Sequence, residues 1–539
     1  MGNRIGGEAR ALGYSELRPG QEEAVQALLE GRDVLVVMPT GYGKSAIYRI
    51  AARLLAGPTL VVSPLIALQK DQVDAIEAQD DLGAAEANSP RSASQRSKIF
   101  EELQNDKLEF LFLAPEQLKK KEALSQIKNS GVSLFVVDEA HCISAWGHDF
   151  RPDYLRLGAV AEKLGRPPIL ALTATASPPV RKEIVQRLRM QEPAVIVGGF
   201  DRPNIWLEVQ AFHDESLKME ALLERFDSVQ LPGIVYTATR AQAEEVCGAL
   251  IERGLNAAFY HAGMKASDRQ DVHQRFMADE LEVVVATTAF GMGIDKANVR
   301  FVFHYSIPES LDSYYQEIGR AGRDGGGADA VLFYRAADVG LRRFFVSGGQ
   351  VGQDDLQQVA AAAADSDRPA EIEELREEVD IGESKLNLAI GHLEQGGALE
   401  VLHDGRVRAA AEAKEPAGAV KEAAVGEEMH QKVEESRVAM MRAYAETRAC
   451  RRQFLLNYFG ETAAGFCNNC DNCASGRSRG EDEGEKPFAL GSRVEHRAWG
   501  RGEVVRYEGD KLVVLFDQTG YKTLSVEMVV ERGLLRAAR

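Results

Sequence analysis

A short apolar run, a glycine-containing loop and a helix follow one another near the start of this chain, and they constrain its fold more than any other feature. Val34–Val37 is the apolar run, residues 38–45 read Met-Pro-Thr-Gly-Tyr-Gly-Lys-Ser, and apolar residues recur at helical spacing over 46–55. Loop N–H groups, a helix N-terminus and a lysine together form a phosphate site. Because Met38 stands where the strict pattern has glycine, a turn that binds nothing is the alternative. The candidate phosphate and Mg²⁺ ligands are Thr40, Gly41, Gly43, Lys44 and Ser45.

The composition favours a soluble globular protein with several domains. The chain has 539 residues, of which 45% are hydrophobic and 27% charged, and this length favours more than one domain. It has no run of about 18 apolar residues for a membrane span and no apolar N-terminal core for a secretory signal. We therefore expect a cytoplasmic protein with no membrane partner. The net charge of −18 argues against general adhesion to nucleic acid but allows a local basic track.

Four further segments have the pattern of a buried strand that ends in a polar turn: 59–64, 110–116, 134–139 and 169–175. Continuous apolar strands alternating with helices predict a parallel sheet covered on both faces. Ligands bind beyond the carboxyl ends of such strands. Asp138 and Glu139 lie at one of these ends, where Asp138 would hold Mg²⁺ and Glu139 would activate the attacking water. The alternative is an ordinary solvated acidic strand end.

A second α/β segment runs from about residue 200 to 340. Its predicted strands are 233–236, 282–287 and 301–304, and it has no phosphate loop of its own. Arg320 and Arg323 stand three residues apart among small residues, which predicts that they lie together on one side of a helical turn. They would contact phosphates as arginine fingers do, or they are a pair of surface arginines.

The order of these elements resembles the RecQ family of superfamily 2 helicases, over about residues 10–335 and again over 440–475. Four motifs carry the resemblance: an adenine-recognition motif, motif II, motif V and motif VI, which match residues 17–21, 138–141, 289–296 and 316–323. The resemblance implies an α/β protein with two tandem RecA-like domains and ATP between them. Its nucleotide site would also include Gln21 as the adenine reader, Tyr14 as a stacking partner, Arg18 and Asp295.

An aromatic-rich segment follows motif II and resembles the RecQ loop that links single-strand binding to ATP hydrolysis. Aromatic faces stack on any base with about 1–3 kcal/mol per base, although such rings could also be core residues. Small hydroxyls at the ends of the strands suit contacts with phosphate, which carry no sequence information. The candidate DNA-binding and coupling residues are Ser63, Trp146, His148, Phe150, Arg151 and Thr288.

Residues 341–412 depart from the usual RecQ order, in which the zinc module follows the helicase core. Three predicted helices and a hairpin turned at residues 404–405 indicate a winged-helix-like domain. Residues 351–412 hold 15 acidic residues against 5 lysines and arginines, a balance that opposes binding to the DNA backbone. A spacer or protein-contact role is the alternative to DNA binding through Lys385, Arg406 and Arg408.

Four cysteines near residue 460 predict a structural zinc site. Cys450, Cys467, Cys470 and Cys473 offer the closed set of four thiolates that structural Zn²⁺ takes, and the segment resembles the RecQ zinc module. A redox pair is the alternative. The preceding residues 413–429 are rich in Ala, Glu and Gly and predict a hinge or a loose helix.

Residues 488–539 predict a small all-β barrel of the SH3 or Tudor type, with strands 493–496, 502–507, 511–516 and 521–524. Residues 494–502 resemble the Tudor-like C-terminal domain of UvrD/PcrA helicases. That resemblance implies a docking module for RNA polymerase or repair proteins. A barrel that only stabilises the chain is the alternative.

Together these features predict an ATP-dependent 3′–5′ DNA helicase that uses ATP, Mg²⁺ and structural Zn²⁺, acts on single-stranded and forked DNA in repair and recombination, and associates with the bacterial nucleoid. A DNA-stimulated ATPase that remodels protein–DNA complexes and a factor that docks on RNA polymerase are the alternatives. The predicted domains are RecA-like domains 1–200 and 201–340, the winged-helix-like domain 341–412, the linker 413–429, the zinc module 430–475, the linker 476–487 and the barrel 488–539.

Overall fold

The structure of the chain is a computed structural model. It describes residues 2–64, 66–79, 83–88, 93–105, 107–119, 121–144, 151–291, 294–342, 351–365, 368–402, 406–410, 416–461, 465–480, 486–489, 491–508, 510–517 and 519–538. The chain divides into two compact units. The first contains Met1–Met38, Tyr42–Gly198 and Ser347–Gln431, and the second contains Pro39–Gly41, Gly199–Val346 and Lys432–Arg539.

A parallel sheet forms the centre of the first unit, as the apolar runs predict. Within the described residues it has seven strands in the order β3-β4-β2-β5-β6-β1-β7. The strands are β1 Val34–Val37, β2 Thr59–Val62, β3 Ala84–Glu86, β4 Phe110–Leu113, β5 Leu134–Val137, β6 Ile169–Thr173 and β7 Ala194–Val197. The sequence pattern missed β3 and β7, the two edge strands, because edge strands need no continuous apolar run; Val195 in β7 is 49% exposed.

Helices cover both faces of this sheet, as a parallel sheet requires. They are α1 Gly2–Ala11, α2 Gln21–Leu29, α3 Lys44–Ala52, α4 Ile66–Gln79, α5 Ala93–Gln104, α6 Lys121–Asn129, α7 Leu157–Lys163 and α8 Pro178–Arg187. Short 3₁₀ turns occupy Pro115–Lys119, Ala140–Ile143 and Pro152–Arg156. The buried side chains of α1, α2 and α3 join those of β1 in one core.

The second unit contains another parallel sheet, of six strands in the described part of the chain, in the order β10-β11-β9-β12-β13-β8. Its strands are β8 Ile205–Phe212, β9 Gly233–Tyr236, β10 Ala257–Tyr260, β11 Val283–Ala286, β12 Phe301–His304 and β13 Ala328–Arg335, and its helices are α9 Glu215–Arg225, α10 Arg240–Glu252, α11 Ala266–Met277 and α12 Leu311–Ile318. The three strands predicted from apolar runs, β9, β11 and β12, are confirmed. The half-exposed strands β8 and β10 carry a mixed polar pattern that did not predict them. The buried interior strand β13 was also missed, although its residues 330–334 are continuously apolar.

Three helices and an antiparallel hairpin form the segment after residue 350, as predicted. The elements are α13 Gln353–Asp365, α14 Ile372–Glu378, α15 Glu383–Gln395, β14 Leu399–Val401 and β15 Val407–Ala409. The predicted hairpin turn, 404–405, lies outside the described residues. The helices share a buried core that includes Leu356, Leu375, Leu386 and Leu393.

One helix of 31 residues, α16 Pro416–Glu446, replaces the predicted hinge or loose helix. Ala, Glu and Gly at 413–429 suggested weak structure, but Val420 and Ala423 are buried in the core of the preceding segment. Burial of one helix face outweighs the low helix propensity of glycine. The zinc-module helices α17 Arg451–Tyr458 and α18 Asp471–Ala474 follow, with a 3₁₀ turn at Arg477–Gly480.

An antiparallel sheet ends the chain, consistent with the predicted barrel. In the part of it that is described, five strands follow the order β19-β18-β17-β16-β20, with β16 Arg493–His496, β17 Gly500–Glu508, β18 Lys511–Phe516, β19 Gly520–Ser525 and β20 Leu535–Ala537. The helix α19 Val526–Glu531 and strand β20 were not predicted. Among all described residues, no helix combines the length and the apolar character that crossing a bilayer requires.

Candidate nucleotide and zinc sites

The loop after β1 has the backbone of a phosphate-binding loop. Gly41 and Gly43 have φ of 78° and 85°, a region that residues with a Cβ rarely adopt. Helix α3 begins at Lys44, so the loop ends at a helix N-terminus, which attracts anions. The Lys44 Nζ donates to the carbonyl of Met38 at 2.9 Å, which places the charged amine over the loop.

Met38, which departs from the usual glycine, is a core residue. Its side chain is buried, and a Cβ added to Gly20 would lie 2.6 Å from the Met38 Cε. The side chain therefore packs into the core beside Gly20 and leaves the phosphate-facing side of the loop open. The departure from the strict pattern does not obstruct the loop.

Gln21, the predicted adenine reader, connects helix α2 to this loop. Its amide nitrogen donates to the carbonyls of Tyr42 and Gly43 at 3.1 and 2.9 Å, and its amide oxygen accepts from the N–H of Arg18 at 2.8 Å. The Arg18 guanidinium lies over the Tyr42 ring, 5.2 Å from its centroid. Tyr42 is a residue that the sequence interpretation missed, although an aromatic ring inside a phosphate loop was visible. Tyr14 packs against the core of the first unit.

Asp138 at the end of β5 is buried and its carboxyl carries an unusual pKa. Burial is the main cause that raises the pKa of Asp138 to about 6, and the negative charge of Glu139 adds to it. The positive charge of Lys44 acts in the opposite direction. The hydroxyl of Ser63 lies 3.4 Å from an Asp138 oxygen. A buried carboxylate whose negative charge is poorly compensated fits a divalent cation, because the cation would favour the ionised form.

Glu139 holds a backbone conformation that non-glycine residues rarely adopt, with φ of 47°, and such conformations cluster at functional sites. The Nδ1 atom of buried His141 lies 3.3 Å from a Glu139 carboxylate oxygen and 2.9 Å from the Thr173 hydroxyl. Thr173 ends β6. His141 therefore joins the acids of motif II to the next strand end.

The predicted DNA-binding residues divide into three groups. Trp146, His148 and Phe150 lie outside the described residues. Arg151 donates through its guanidinium to the carbonyl of Pro64 at 3.1 Å and through its backbone N–H to Cys142 at 2.8 Å. Thr288 is exposed in the second unit, and Ser63 is buried with its hydroxyl toward Asp138. The DNA-contact roles of all these residues stay predictions.

The two arginines of motif VI lie in the turn after helix α12, because the helix ends at Ile318. The N–H groups of Arg320 and Ala321 donate to the carbonyls of Glu317 and Ile318, so a tighter turn continues the helical path through Arg320. Gly322, with φ of 57°, ends that path before Arg323. Arg320 is buried. Arg323 forms an ion pair with Asp295, whose carboxylate is 83% exposed. Burial, then the neighbouring Arg320 charge, lower the pKa of Arg323.

The four predicted zinc ligands lie together in the second unit. The Sγ atoms of Cys450, Cys467, Cys470 and Cys473 are all within 4.8 Å of one another, and those of Cys467 and Cys473 are 3.8 Å apart. That separation is far too long for a disulfide. It equals the edge of a tetrahedron with Zn–S bonds of about 2.3 Å, so the four thiols fit a structural zinc ion. Hydrogen bonds from Cys467 and Cys470 lower the pKa of Cys450 to about 3.

An arginine–aspartate pair that the sequence interpretation did not single out fixes this cluster to strand β8. Arg451 contacts both carboxylate oxygens of Asp471, at 2.5 and 2.9 Å, and Asp471 also accepts the N–H of Val209 at 3.2 Å. Both residues adjoin zinc-site cysteines in the sequence. Sequence spacing alone could not show that they meet.

Family models match three parts of the chain. The DEAD/DEAH box helicase model matches residues 18–184, the helicase conserved C-terminal domain matches 217–325, and the RecQ zinc-binding model matches 414–474. Among solved structures, Mycobacterium smegmatis helicase Lhr bound to ssDNA and AMP-PNP aligns with a TM-score of 0.50 and 20% identity, covering 92% of this chain and 68% of that one. This likeness concerns the fold alone.

Two curated relatives extend over most of the chain. The probable ATP-dependent DNA helicase RecS of Bacillus subtilis is 34% identical over 480 residues, which are 88% of this chain and 92% of the relative. The ATP-dependent DNA helicase RecQ of Haemophilus influenzae is 37% identical over 465 residues, 86% of this chain, which spans 62% of that relative.

Two parallel-sheet domains, a lysine-bearing phosphate loop and an acidic strand end define a helicase of superfamily 2. The four-cysteine cluster lies within the match to the RecQ zinc-binding model and so distinguishes the family within this superfamily. The chain belongs to the RecQ family of ATP-dependent DNA helicases, whose cofactors are ATP, Mg²⁺ and structural Zn²⁺.

Proposed function

We propose that this chain hydrolyses ATP to move 3′ to 5′ along single-stranded DNA and to separate duplex strands in repair and recombination. One observation carries the proposal: the buried Asp138 carboxyl, whose pKa is raised to about 6, lies within the field of Lys44 at the phosphate loop. Phosphoryl transfer requires a lysine and a metal-binding carboxylate, and here they follow β1 and β5, which are separated in the sheet by β6 alone. DNA as the substrate follows from the relatives, which are DNA helicases.

We assign the nucleotide chemistry to the phosphate loop, to the acids of motif II and to Gln21. Lys44 holds the phosphates together with the N–H groups of the loop that contains Thr40, Gly41 and Gly43. Ser45 and Asp138 hold Mg²⁺, which neutralises phosphate oxygens when it is bound. Glu139 orients and deprotonates the attacking water. Gln21 recognises adenine, with Tyr14, Arg18 and Tyr42 beside it.

Gln21 also supports coupling between base recognition and phosphate binding. Its amide nitrogen donates to Tyr42 and Gly43 of the loop, and that nitrogen and the amide oxygen are the groups that would pair with an adenine edge. A nucleotide that engages Gln21 must therefore exchange these hydrogen bonds. Adenine binding then changes the restraint on the phosphate loop.

Arg320 and Arg323 take the arginine-finger role in this proposal, and Asp295 orients Arg323. The four cysteines bind Zn²⁺, which has a structural role because four protein thiolates fill all four tetrahedral positions and leave none open for water or substrate. The DNA path includes Ser63, Trp146, His148, Phe150, Arg151 and Thr288. The proposed domains keep the boundaries 1–200, 201–340, 341–412, 430–475 and 488–539.

ATP hydrolysis measured with and without single-stranded DNA tests this function. Wild-type protein should hydrolyse ATP faster when DNA is added, and Lys44→Ala should lose both the basal and the stimulated rate while retaining zinc. Equal rates for Lys44→Ala and wild type would refute the assigned site. An ATP hydrolysis rate that stays the same when DNA is added would refute the proposed coupling.

The C-terminal sheet is proposed as the docking site for RNA polymerase or a repair protein. The resemblance of residues 494–502 to the UvrD/PcrA module supports this, as do the exposed apolar side chains of Met528 and Val530, 41% and 49% exposed. Deleting the sheet is a poor test, because the guanidinium of buried Arg506 lies 3.2 Å from the Phe454 ring centroid in the zinc module. Deletion would remove the contact between Arg506 and Phe454 and so would disturb the zinc module.

Surface substitution tests docking without this damage. The double variant Met528→Glu and Val530→Glu should lose binding to purified RNA polymerase in a pull-down while unwinding is kept. Val425→Glu, at an exposed valine of helix α16, is the matched control and should bind as wild type does. Retained binding by the double variant would refute docking through this surface.

Because DNA is the proposed substrate, we also expect the protein to associate with the bacterial nucleoid. Fluorescence microscopy of a tagged chain would test this.

A further inference from the structure

Within the first unit, the winged-helix-like segment contacts the parallel-sheet part near the acids of motif II. Helix α15 and the hairpin β14–β15 lie next to the 3₁₀ turn Pro152–Arg156. That turn follows the aromatic-rich segment, of which residues 145–150 lie outside the described part of the chain. The two flanks of that segment, up to Ser144 and from Arg151, are described.

The first contact joins the hairpin to the downstream flank. The Arg156 guanidinium donates to the carbonyl of Leu402 at 2.9 Å. Two residues earlier in the same turn, the hydroxyl of buried Tyr154 donates to the backbone carbonyl of Asp138 at 3.0 Å. A displacement of the hairpin would therefore move the turn Pro152–Arg156, and through Tyr154 it would move the backbone of Asp138.

Helix α15 contacts the downstream flank directly and carries a carboxylate that feels charges connected to both flanks. Glu394 accepts the N–H of Val401 at 3.3 Å, and its carboxylate lies within the electrostatic field of Arg156 and Arg187. Arg187 contacts Glu183 at 3.4 Å, and the other Glu183 oxygen accepts the Ser144 hydroxyl at 2.6 Å. Glu394 and Arg156 thus bind the adjacent hairpin residues Val401 and Leu402, and the charge of Arg187, which is connected to the upstream flank, also acts on the Glu394 carboxylate.

The charge of the segment favours this internal role over DNA binding. Residues 351–412 hold 15 acidic residues against 5 lysines and arginines, and an acidic surface repels phosphate. Of the three basic residues that could have contacted DNA, Lys385 pairs with Asp355 at 2.7 Å and Arg408 pairs with Glu400 at 2.6 Å. Their charges are already compensated within the segment.

We propose that the winged-helix-like segment sets the response of the ATPase to single-stranded DNA, with Glu394 as the positioning residue that holds the two flanks of the aromatic-rich segment through Arg156 and Arg187. This inference rests on the proposed function, since it presupposes an ATPase that DNA stimulates. Glu394 touches no substrate. It acts through the two arginines on the residues that join motif II to the DNA-responsive segment.

The test is Glu394→Gln in the full-length chain, because glutamine keeps the size and the hydrogen bond to Val401 but removes the charge. Glu378→Gln, at an exposed acid of helix α14, is the matched control for loss of one negative charge. The DNA concentration that gives half-maximal ATPase stimulation should rise at least about fivefold in Glu394→Gln, the lower end of typical coupling between sites. The DNA-free rate and the KM for ATP should stay at wild-type values.

A second measurement makes the test independent of turnover. In hydrogen–deuterium exchange, peptides that cover 140–144 and 151–156 should be protected in wild-type and Glu378→Gln protein and exchange faster in Glu394→Gln. An unchanged or lower half-stimulating DNA concentration would overturn the inference. So would an equal loss of rate with and without DNA, which would indicate a purely structural role.

Failure of the underlying function gives a different result. If wild-type protein shows no stimulation by DNA, the proposed function fails, and the exchange measurement alone then decides whether Glu394 holds the flanks. If DNA stimulates wild type and Glu394→Gln equally, only the inference about the inserted segment fails.

Discussion

Neutralising Asp471 should destabilise the second unit far more than neutralising a similar aspartate on its surface. Arg451 is 3% exposed and its guanidinium contacts both carboxylate oxygens of Asp471. Asp471→Asn would leave this buried charge without its counter-charge, which costs about 3–5 kcal/mol. Because Arg451 keeps a hydrogen bond to the Tyr444 carbonyl at 2.8 Å, we expect a loss near the lower end, about 3 kcal/mol.

The control is an arginine–aspartate pair that is exposed to solvent. Arg493 contacts both oxygens of Asp517, and the two side chains are 34% and 47% exposed. Such exposed pairs contribute about 0–1 kcal/mol. Asp517→Asn should therefore leave the stability of the same unit almost unchanged.

Differential scanning calorimetry distinguishes the two variants. A loss of about 3 kcal/mol corresponds to a fall in Tm of about 6–12 °C for a unit of this size, against about 4 °C or less for Asp517→Asn. Zinc content, measured on the same samples, should be retained in Asp517→Asn. Equal shifts in the two variants would refute the argument that burial makes the Asp471 pair important.

Three further outcomes follow from the sites. Arg323→Ala should lower the ATPase kcat by about 10³-fold or more with ATP binding retained, as loss of an arginine finger does; a near-wild-type rate would assign the finger elsewhere. Cys467→Ser should lose bound zinc by atomic absorption and lower the Tm, whereas full zinc occupancy would exclude this thiol as a ligand. Gly20→Ala should cost about 1–3 kcal/mol more than Gly13→Ala in chemical denaturation. Both glycines have a positive φ, but only at Gly20 would a Cβ clash with Met38 and with the β-branched side chain of Ile196, at 2.6 and 2.7 Å; equal losses would show that backbone strain alone is responsible.

Most strands buried on both faces were predictable because their sequences are continuously apolar, and β13 is the exception. β1, β2, β4, β5 and β6 were all visible in this way. Edge strands were not: β10 is largely half-exposed, so its sequence carries no such signal. The pairing of neighbouring strands in one sheet depends on tertiary contacts that spacing does not encode.

The nucleotide site was predictable as a set of motifs but not as a set of contacts. Residues near Lys44, Asp138 and Arg320 stood out because phosphate chemistry demands a lysine and an acid beyond strand ends together with an arginine. The role of Met38 as a core residue and the Tyr42–Arg18 contact were not visible, because they depend on the direction in which a side chain leaves the loop.

The largest difference concerns helix α16. The glycines among the Ala and Glu residues of 413–429 predict a hinge or a loose helix on local propensity, yet a helix runs unbroken over Pro416–Glu446. Several of its side chains are buried, among them Val420 and Val433. Val420 packs against residues that are distant in the sequence, such as Leu356 and Leu393. Local sequence cannot report such partners.

Strand separation measured in a single turnover tests the central claim most directly. Duplexes with a 3′ or a 5′ single-stranded tail would be mixed with the protein, ATP and Mg²⁺, and the displaced strand would be followed by fluorescence. We expect ATP-dependent displacement from the 3′-tailed duplex, little from the 5′-tailed duplex, and none with Lys44→Ala. No displacement from the 3′-tailed duplex, despite intact DNA-stimulated ATP hydrolysis, would contradict the assignment as a helicase.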